Sequence, residues 1–394
     1  MLSEKDIERF RSETPGTKEV IHFNNAGSSL PPEAVRKAVN DYNNEEMTFG
    51  GYETNAKYHP QLEATYNSVA TLLNANRDEI ALVENATAAW NAAFQAIDWQ
   101  NGDVIIATQA DYASNYLSYL HLKRRFEIVI KVIPTLPSGD TDLNALEGMV
   151  SPQVKLISVT HMPTNGGLTV AAEAIGKIAK QHGVIYLLDA CQSAGQYPLD
   201  VEKIGCDMLS ATGRKYLRAP RGTGFLYVRK AVLPMLTPYW VDLHSAQWTG
   251  ENSYEIRKDA RKFESWEASR ANTMGLKAAV DYALAIGVDQ IWERVQGLSK
   301  RLRTQLEKLP LVHLHDISEV KSGLVSFTVE GFSAGEVKAY LAQHSINISW
   351  NDVSNTYLDM TNRGLKEVAR ASVHYYNTEK EIDRFVEILA KIKE

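Results

Sequence analysis

The sequence predicts an α/β fold: a large, doubly wound, mostly parallel sheet joined to a smaller α+β C-terminal domain. Three observations predict it. Apolar runs of strand length alternate with helical stretches from residue 20 to about 230. The run GVIYLLDACQSAG, residues 183–195, is continuously apolar up to Asp189, as suits a strand buried on both faces of a parallel sheet. From residue 273 the pattern changes to long amphipathic helices and then short strands, the mark of a separate α+β unit. The expected division is 20–270 for the large domain, with 1–19 and 271–394 forming the small one.

Composition narrows the function classes. The 394 residues can bury two cores. Apolar residues make up 44% and charged residues 23%, which is ordinary for a globular protein. The net charge of −6 argues against a nucleic-acid partner, which would want a basic face, and leaves room for local basic pockets for small anions. Two cysteines, Cys191 and Cys206, supply neither a disulfide framework nor a zinc cluster, and fit a reducing compartment. The opening MLSEKDIERFRSE is charged and lacks a long apolar core, so neither a secretory signal nor a membrane anchor is expected. No apolar run approaches the ~18 residues of a membrane-spanning helix. The expected location is the cytoplasm, with no nucleic-acid or membrane partner and no metal.

Taken in order, VIHF (20–23) is a short strand, Asn24-Asn25-Ala26-Gly27 a turn, and PPEAVRKAVNDY the start of a helix with proline in its first turn. The turn is either a plain connection or one that faces a ligand. IALV (80–83) leads through Glu84-Asn85-Ala86-Thr87 into an Ala-rich helix. Such a step directs free N–H groups at an anion, although Asn85 or Thr87 could equally cap the helix. In NGDVIIATQADYASNYLSYL a strand, a loop with Tyr112 and a helix follow. RRFEIVIKVIPTL is another strand and TDLNALEGMV another helix. KLISVTHMPTNGG repeats the scheme with the turn Thr164-Asn165-Gly166-Gly167, and His161 is either a core or a pocket residue. SATGRKYLRAPRGTGFLYV (210–228) is a strand end, a tight turn carrying Lys215, and a hairpin back into a strand. Arg218 and Arg221 in that turn either add positive field or are solvated. The segment 231–272 reads as an irregular, aromatic-rich loop that shapes a substrate pocket or packs on itself. One or two helices (273–309), HLHDI, GLVSFTV, a helix near 334–344, NISW and ARASVHYYNTEKEIDRF complete the chain.

Sites in such sheets lie at the carboxyl ends of strands, and Thr87, Tyr112, Thr164, Asp189 and Thr212 all fall just after predicted strands. Asp189 must find a partner, because an isolated buried carboxylate is very costly. A lysine that forms an imine with an aldehyde, and an aspartate that keeps a pyridine nitrogen protonated, are the protein's share of pyridoxal phosphate chemistry. Lys215 and Asp189 suit those two parts. Arg370, in an apolar strand, needs an anion or a salt bridge.

DACQ, then SATGRK, then a Gly-rich turn into a strand resembles the class V aminotransferase family, whose best-known members are cysteine desulfurases. The resemblance implies a fold type I enzyme dependent on pyridoxal 5′-phosphate, an amino-acid substrate and a homodimer. It implies that Ala86, Thr87, Thr212 and Arg214 bind the phosphate, with Arg214 where the family usually has histidine. It places Tyr112 on the pyridine face, again where histidine is usual, and Thr164 (or Asn165) and Gln192 at the phenolic oxygen. Asn25 falls on the substrate side, and Arg370 matches the arginine that grips the substrate α-carboxylate. The loop WNDVSNTYLDMTNRGLKEV (350–368), which in desulfurases carries the nucleophilic cysteine, has none. Persulfide-forming desulfuration is therefore not expected. The favoured reaction is β-elimination by a C–S lyase, with aminotransferase and epimerase as alternatives and a non-catalytic pyridoxal phosphate binder as a rival class.

Overall fold

The computed structural model describes residues 2–392. Among them, seven strands form one sheet in the order Ile80–Val83, Gly224–Val228, Met208–Thr212, Ile185–Asp189, Val154–Thr160, Val104–Thr108, Val129–Ile133. Six run in one direction; Gly224–Val228 is antiparallel to both of its neighbours. The continuous apolar runs follow from burial on both faces. Ile105, Ala107, Leu156, Leu187 and Leu226 pack with Trp90 and Phe94 of the helix Ala86–Gln95. Their neighbours Ile106, Ile157, Leu188 and Phe225 point the other way, into a second apolar layer that includes Ile175 and Leu276. Full burial of each large side chain stabilises by about 1.5–3 kcal/mol, an upper estimate.

The carboxyl ends of six strands meet at one edge of this sheet. The strand order reverses between Val104–Thr108 and Val154–Thr160, which opens a crevice there. A second sheet, antiparallel, has the order Val312–Leu314, Leu324–Val329, Glu367–Ser372, Ser349–Asp352. The helices Val288–Leu306 and Ala334–Gln343 pack with it, and Glu379–Ala390 packs on both helices with Phe385 edge-on to Phe327 of the sheet. Gly287, at φ 91°, breaks the long 273–309 stretch into two helices. The earlier one, Arg270–Ile286, lies on the helices Glu33–Phe49 and Gly51–Leu73.

Three features differ from the sequence reading. The strand Ile21–His22 stays out of the large sheet and pairs parallel with Ile346–Asn347. The 231–272 segment is not wholly irregular: Ala246–Gly250 and Ser253–Ile256 form a hairpin, with exposed Trp248 opposite exposed Tyr254. Arg218 is neither solvated nor part of a field at the surface. It is 1% exposed, donates to Thr14 Oγ1 (2.5 Å), Tyr375 Oη (2.5 Å) and Leu30 O (2.8 Å), and lies 4.4 Å from the Tyr376 ring centroid. It thereby ties the lysine turn to both the N-terminal segment and the C-terminal one. Arg218→Ala is expected to cost about 3 kcal/mol of unfolding free energy, read as a lower urea midpoint. An unchanged midpoint would show that this clamp is dispensable.

Candidate active site

Lys215 stands in the turn between Met208–Thr212 and Gly224–Val228, at the carboxyl edge of the sheet. The turn is tight: Gly213 N donates to Thr223 O (3.0 Å), Ala219 N to Gly213 O (2.9 Å) and Arg218 N to Lys215 O (3.0 Å). A Cβ at Gly213 would collide with Thr223 Oγ1 and Ala219, so glycine is required. The Lys215 amine makes no ion pair or hydrogen bond among the described residues. Burial lowers its pKa from the ordinary lysine value, and the Arg214 and Arg370 cations add to the effect. An amine so placed sheds its proton more readily than a free lysine and becomes a nucleophile.

Asp189 ends the central strand and is 5% exposed. Its Oδ2 accepts from Asn115 Nδ2 (2.9 Å) and its Oδ1 from Cys191 N (2.9 Å). Both donors are neutral, so the carboxylate charge remains available to a cationic N–H. Beside it lies Asp111, also buried, accepting from Thr160 Oγ1 (2.5 Å), Tyr119 Oη (2.7 Å) and Tyr112 N (2.9 Å). Burial pushes the Asp111 pKa up to about 6, and the charge of Asp189 adds to the rise. This network ties the ends of Val104–Thr108 and Val154–Thr160 across the crevice and fixes the backbone of Tyr112.

A helix end suited to an anion lies next to the lysine turn. Asn85 caps the helix Ala86–Gln95 by accepting from Ala88 N (2.9 Å). Among the described residues no partner takes the Ala86 and Thr87 N–H groups, and Thr87 is exposed. Gly224 lets this turn approach closely, since a Cβ there would strike the backbone of Asn85 and Ala211. Thr212 donates to Thr223 O (3.3 Å), and Arg214 donates to Gly27 O. Burial, then the nearby Arg221 cation, lowers the Arg214 pKa from its ordinary value.

The Asn24–Gly27 turn reaches the same site. Gln192 Nε2 donates to Ala26 O (3.2 Å), and Ser29 N to Arg214 O (3.0 Å). Asn25 is buried and hydrogen-bonded within the protein. Its amide donates to Ser372 O (2.7 Å) and His22 O (3.2 Å) and accepts from Tyr376 Oη (2.6 Å), so its side chain braces the turn. Thr164 is buried and accepts from Asn351 Nδ2 (3.3 Å). Asn165 is held by Asn351 (2.9 Å) and Thr356 (2.8 Å), which leaves Thr164 as the less committed of the two. His161 is a core residue: 2% exposed, edge-on to Tyr197, with its pKa pushed down to about 4 by burial.

Arg370, in Glu367–Ser372, is 5% exposed and forms no ion pair among the described residues, and its Nε lacks any partner. The salt-bridge alternative is thus unsupported. Burial lowers its pKa to about 10. The aromatic 231–272 segment contributes His244 and Trp266 to a cavity of about 600 Å³ beyond Thr223 and Gly224, whose lining includes neither Lys215 nor Arg370.

Asp111, Asn115, Thr160 and Asn351 were not legible as site residues. Only Asp111, an acid directly before Tyr112, carried a usable signal. The residues present fit pyridoxal phosphate: among the described residues the buried Lys215 amine makes no ion pair, Gln192 Oε1 and Arg370 Nε are buried without a hydrogen-bond partner, and the first suits a hydroxyl and the second an anion. Among the described residues no helix is long and apolar enough to cross a membrane, and no His, Cys, Asp and Glu cluster could hold a metal.

Comparison with known proteins agrees. The family model for aminotransferase class-V matches residues 20–385. A probable cysteine desulfurase of Xylella fastidiosa (strain 9a5c) is 31% identical, covering 98% of this chain and 96% of the relative. The cysteine desulfurase of Serratia proteamaculans is 27% identical, covering 98% of each. Among solved structures, apo cysteine desulfurase from Thermococcus onnurineus superposes with a TM-score of 0.93 at 27% identity, covering 99% of each chain. A complex of the cystine C–S lyase C-DES superposes with a TM-score of 0.87 at 23% identity, covering 96% of this chain and 99% of that one. The chain belongs to the aminotransferase class-V family and, with it, to the fold type I pyridoxal phosphate-dependent enzymes.

Proposed function

We propose that the protein is a C–S lyase that eliminates the β-substituent of a sulfur-containing amino acid. One observation carries this reading: no cysteine near the site is equipped to accept sulfur. The 350–368 loop contains none. Cys191 adjoins Asp189, and burial, reinforced by that carboxylate, holds its pKa well above the ordinary thiol value. Cys206 is fully buried and its pKa is likewise raised by burial. A substrate sulfur that cannot pass to an enzyme thiolate must leave with its own electron pair.

Pyridoxal phosphate, when bound, supplies the sink for the electrons released as the substrate's Cα–H bond breaks. Lys215 would hold the cofactor aldehyde, and its freed amine would then take the Cα proton. Asp189 would keep the ring nitrogen protonated, with Asn115 and the Cys191 N–H orienting the carboxylate. Ala86, Thr87, Thr212 and Arg214 would hold the phosphate, Thr164 and Gln192 the phenolic oxygen, and Tyr112 one ring face. Arg370 would grip the substrate carboxylate. The working unit is a cytoplasmic homodimer in which 20–270 forms the cofactor domain and 1–19 with 271–394 the small one.

The test is product analysis with L-cystine and L-cysteine. Elimination yields pyruvate and ammonia in equal amounts, with the sulfur released to solution. Alanine with sulfur retained on the protein would refute the proposal in favour of desulfuration. Formation of pyridoxamine phosphate, reversed by a keto acid, would refute it in favour of transamination.

A further inference from the structure

We propose that Ser349 is a substrate-binding residue whose hydroxyl donates to the same carboxylate that Arg370 grips. The inference rests on the carboxylate role proposed above for Arg370. In the antiparallel small sheet Arg370 lies directly opposite Ser326 on one side and Ser349 on the other. Directly opposed residues share a sheet face, with Cβ atoms roughly 4.5–5.5 Å apart. The three side chains therefore form a Ser–Arg–Ser row.

That face is turned toward the cofactor domain. Gly166 N donates to Ser326 Oγ (3.1 Å), and Asn351, two residues beyond Ser349 on the same face, donates to Thr164 and Asn165. The row thus sits against the 164–167 turn, at the carboxyl end of Val154–Thr160. Ser326 Oγ is occupied by that bond. Ser349 Oγ is not: it is buried and has no partner, as is Arg370 Nε beside it. Two adjacent buried donors without acceptors are costly together, and one ligand carboxylate satisfies both. Arg370 supplies the charge and one edge of the recognition. Ser349 supplies a second direction, and its hydrogen bond is worth more to a charged carboxylate than to a neutral amide.

The test is spectrophotometric titration of the holoenzyme with L-alanine and with L-alaninamide, following the visible band of the bound cofactor. Ser349→Ala is expected to weaken L-alanine about tenfold, the worth of one hydrogen bond to a charged group. It should weaken L-alaninamide by less, because a hydrogen bond to a neutral acceptor is worth less than one to a carboxylate, and Ser349→Thr, which keeps the hydroxyl, should restore L-alanine binding. An unaltered L-alanine affinity in Ser349→Ala, or an equal loss for both ligands, overturns the proposal. Arg370→Lys in the same titration separates the two readings. If it weakens L-alanine while Ser349→Ala does not, Ser349 alone is misassigned. If neither does, the carboxylate role of Arg370 falls as well.

Discussion

Lys215→Ala lowers turnover by roughly 10³- to 10⁴-fold, the larger part of what a positioned proton-transfer group contributes. The loss follows from the surroundings of the amine. It is desolvated and near the Arg214 and Arg370 cations, so its pKa falls below the ordinary lysine value and the free base is reached more readily than in an exposed lysine. No other amine could replace it, because the nearby cations are arginines, which do not deprotonate in the working range. The variant should still take up pyridoxal phosphate through the groups proposed for the phosphate and the ring, but without a covalent link. Turnover in sulfur-amino-acid assays, read beside the absorbance of the bound cofactor, checks both halves. Retention of more than about a tenth of wild-type turnover would deny the lysine its role.

The second large effect is a divergence between activity and stability at Arg370. Burial lowers its pKa to about 10, well below the ordinary arginine value, which corresponds to about 3 kcal/mol of burial cost carried by the unliganded fold. Arg370→Met removes that cost. The unliganded protein is expected to gain about 1–4 kcal/mol, as when other buried charges are replaced by apolar residues of similar volume. The same change should lower kcat/KM by about 10² to 10³, because it leaves the substrate carboxylate desolvated and unpaired. Urea melts of the protein without substrate, set against steady-state kinetics, read the two quantities separately. A variant that loses both stability and activity would mean that Arg370 is a structural cation.

Much of this arrangement was legible in the sequence because burial on two faces leaves a plain record. The run ending at Asp189 predicted the central strand, and the buried carboxylate at its end demanded partners, which prove to be Asn115 and the Cys191 N–H. The burial of Arg370 in an apolar strand was legible for the same reason. Pairings between distant segments left no such record. A strand as short as Ile21–His22 has no pattern to say which sheet it joins, and its partner lies more than 300 residues away. Arg218 looks like any exposed arginine of a polar turn, and only the return of Thr14 and Tyr375 encloses it. The hairpin at 246–256 was hidden because both of its strands are largely exposed, so no apolar alternation marks them. Ser349 and Asn351 gain meaning from the residue across the sheet, which sequence spacing does not reveal.

The central claim is that the amine at position 215 carries the cofactor. Borohydride reduction of the holoenzyme, followed by peptide mapping by mass spectrometry, tests it most directly. The account predicts a single pyridoxyl-phosphate adduct, on the peptide that contains Lys215. An adduct on any other lysine, or no adduct on a protein that nonetheless turns over, would contradict it.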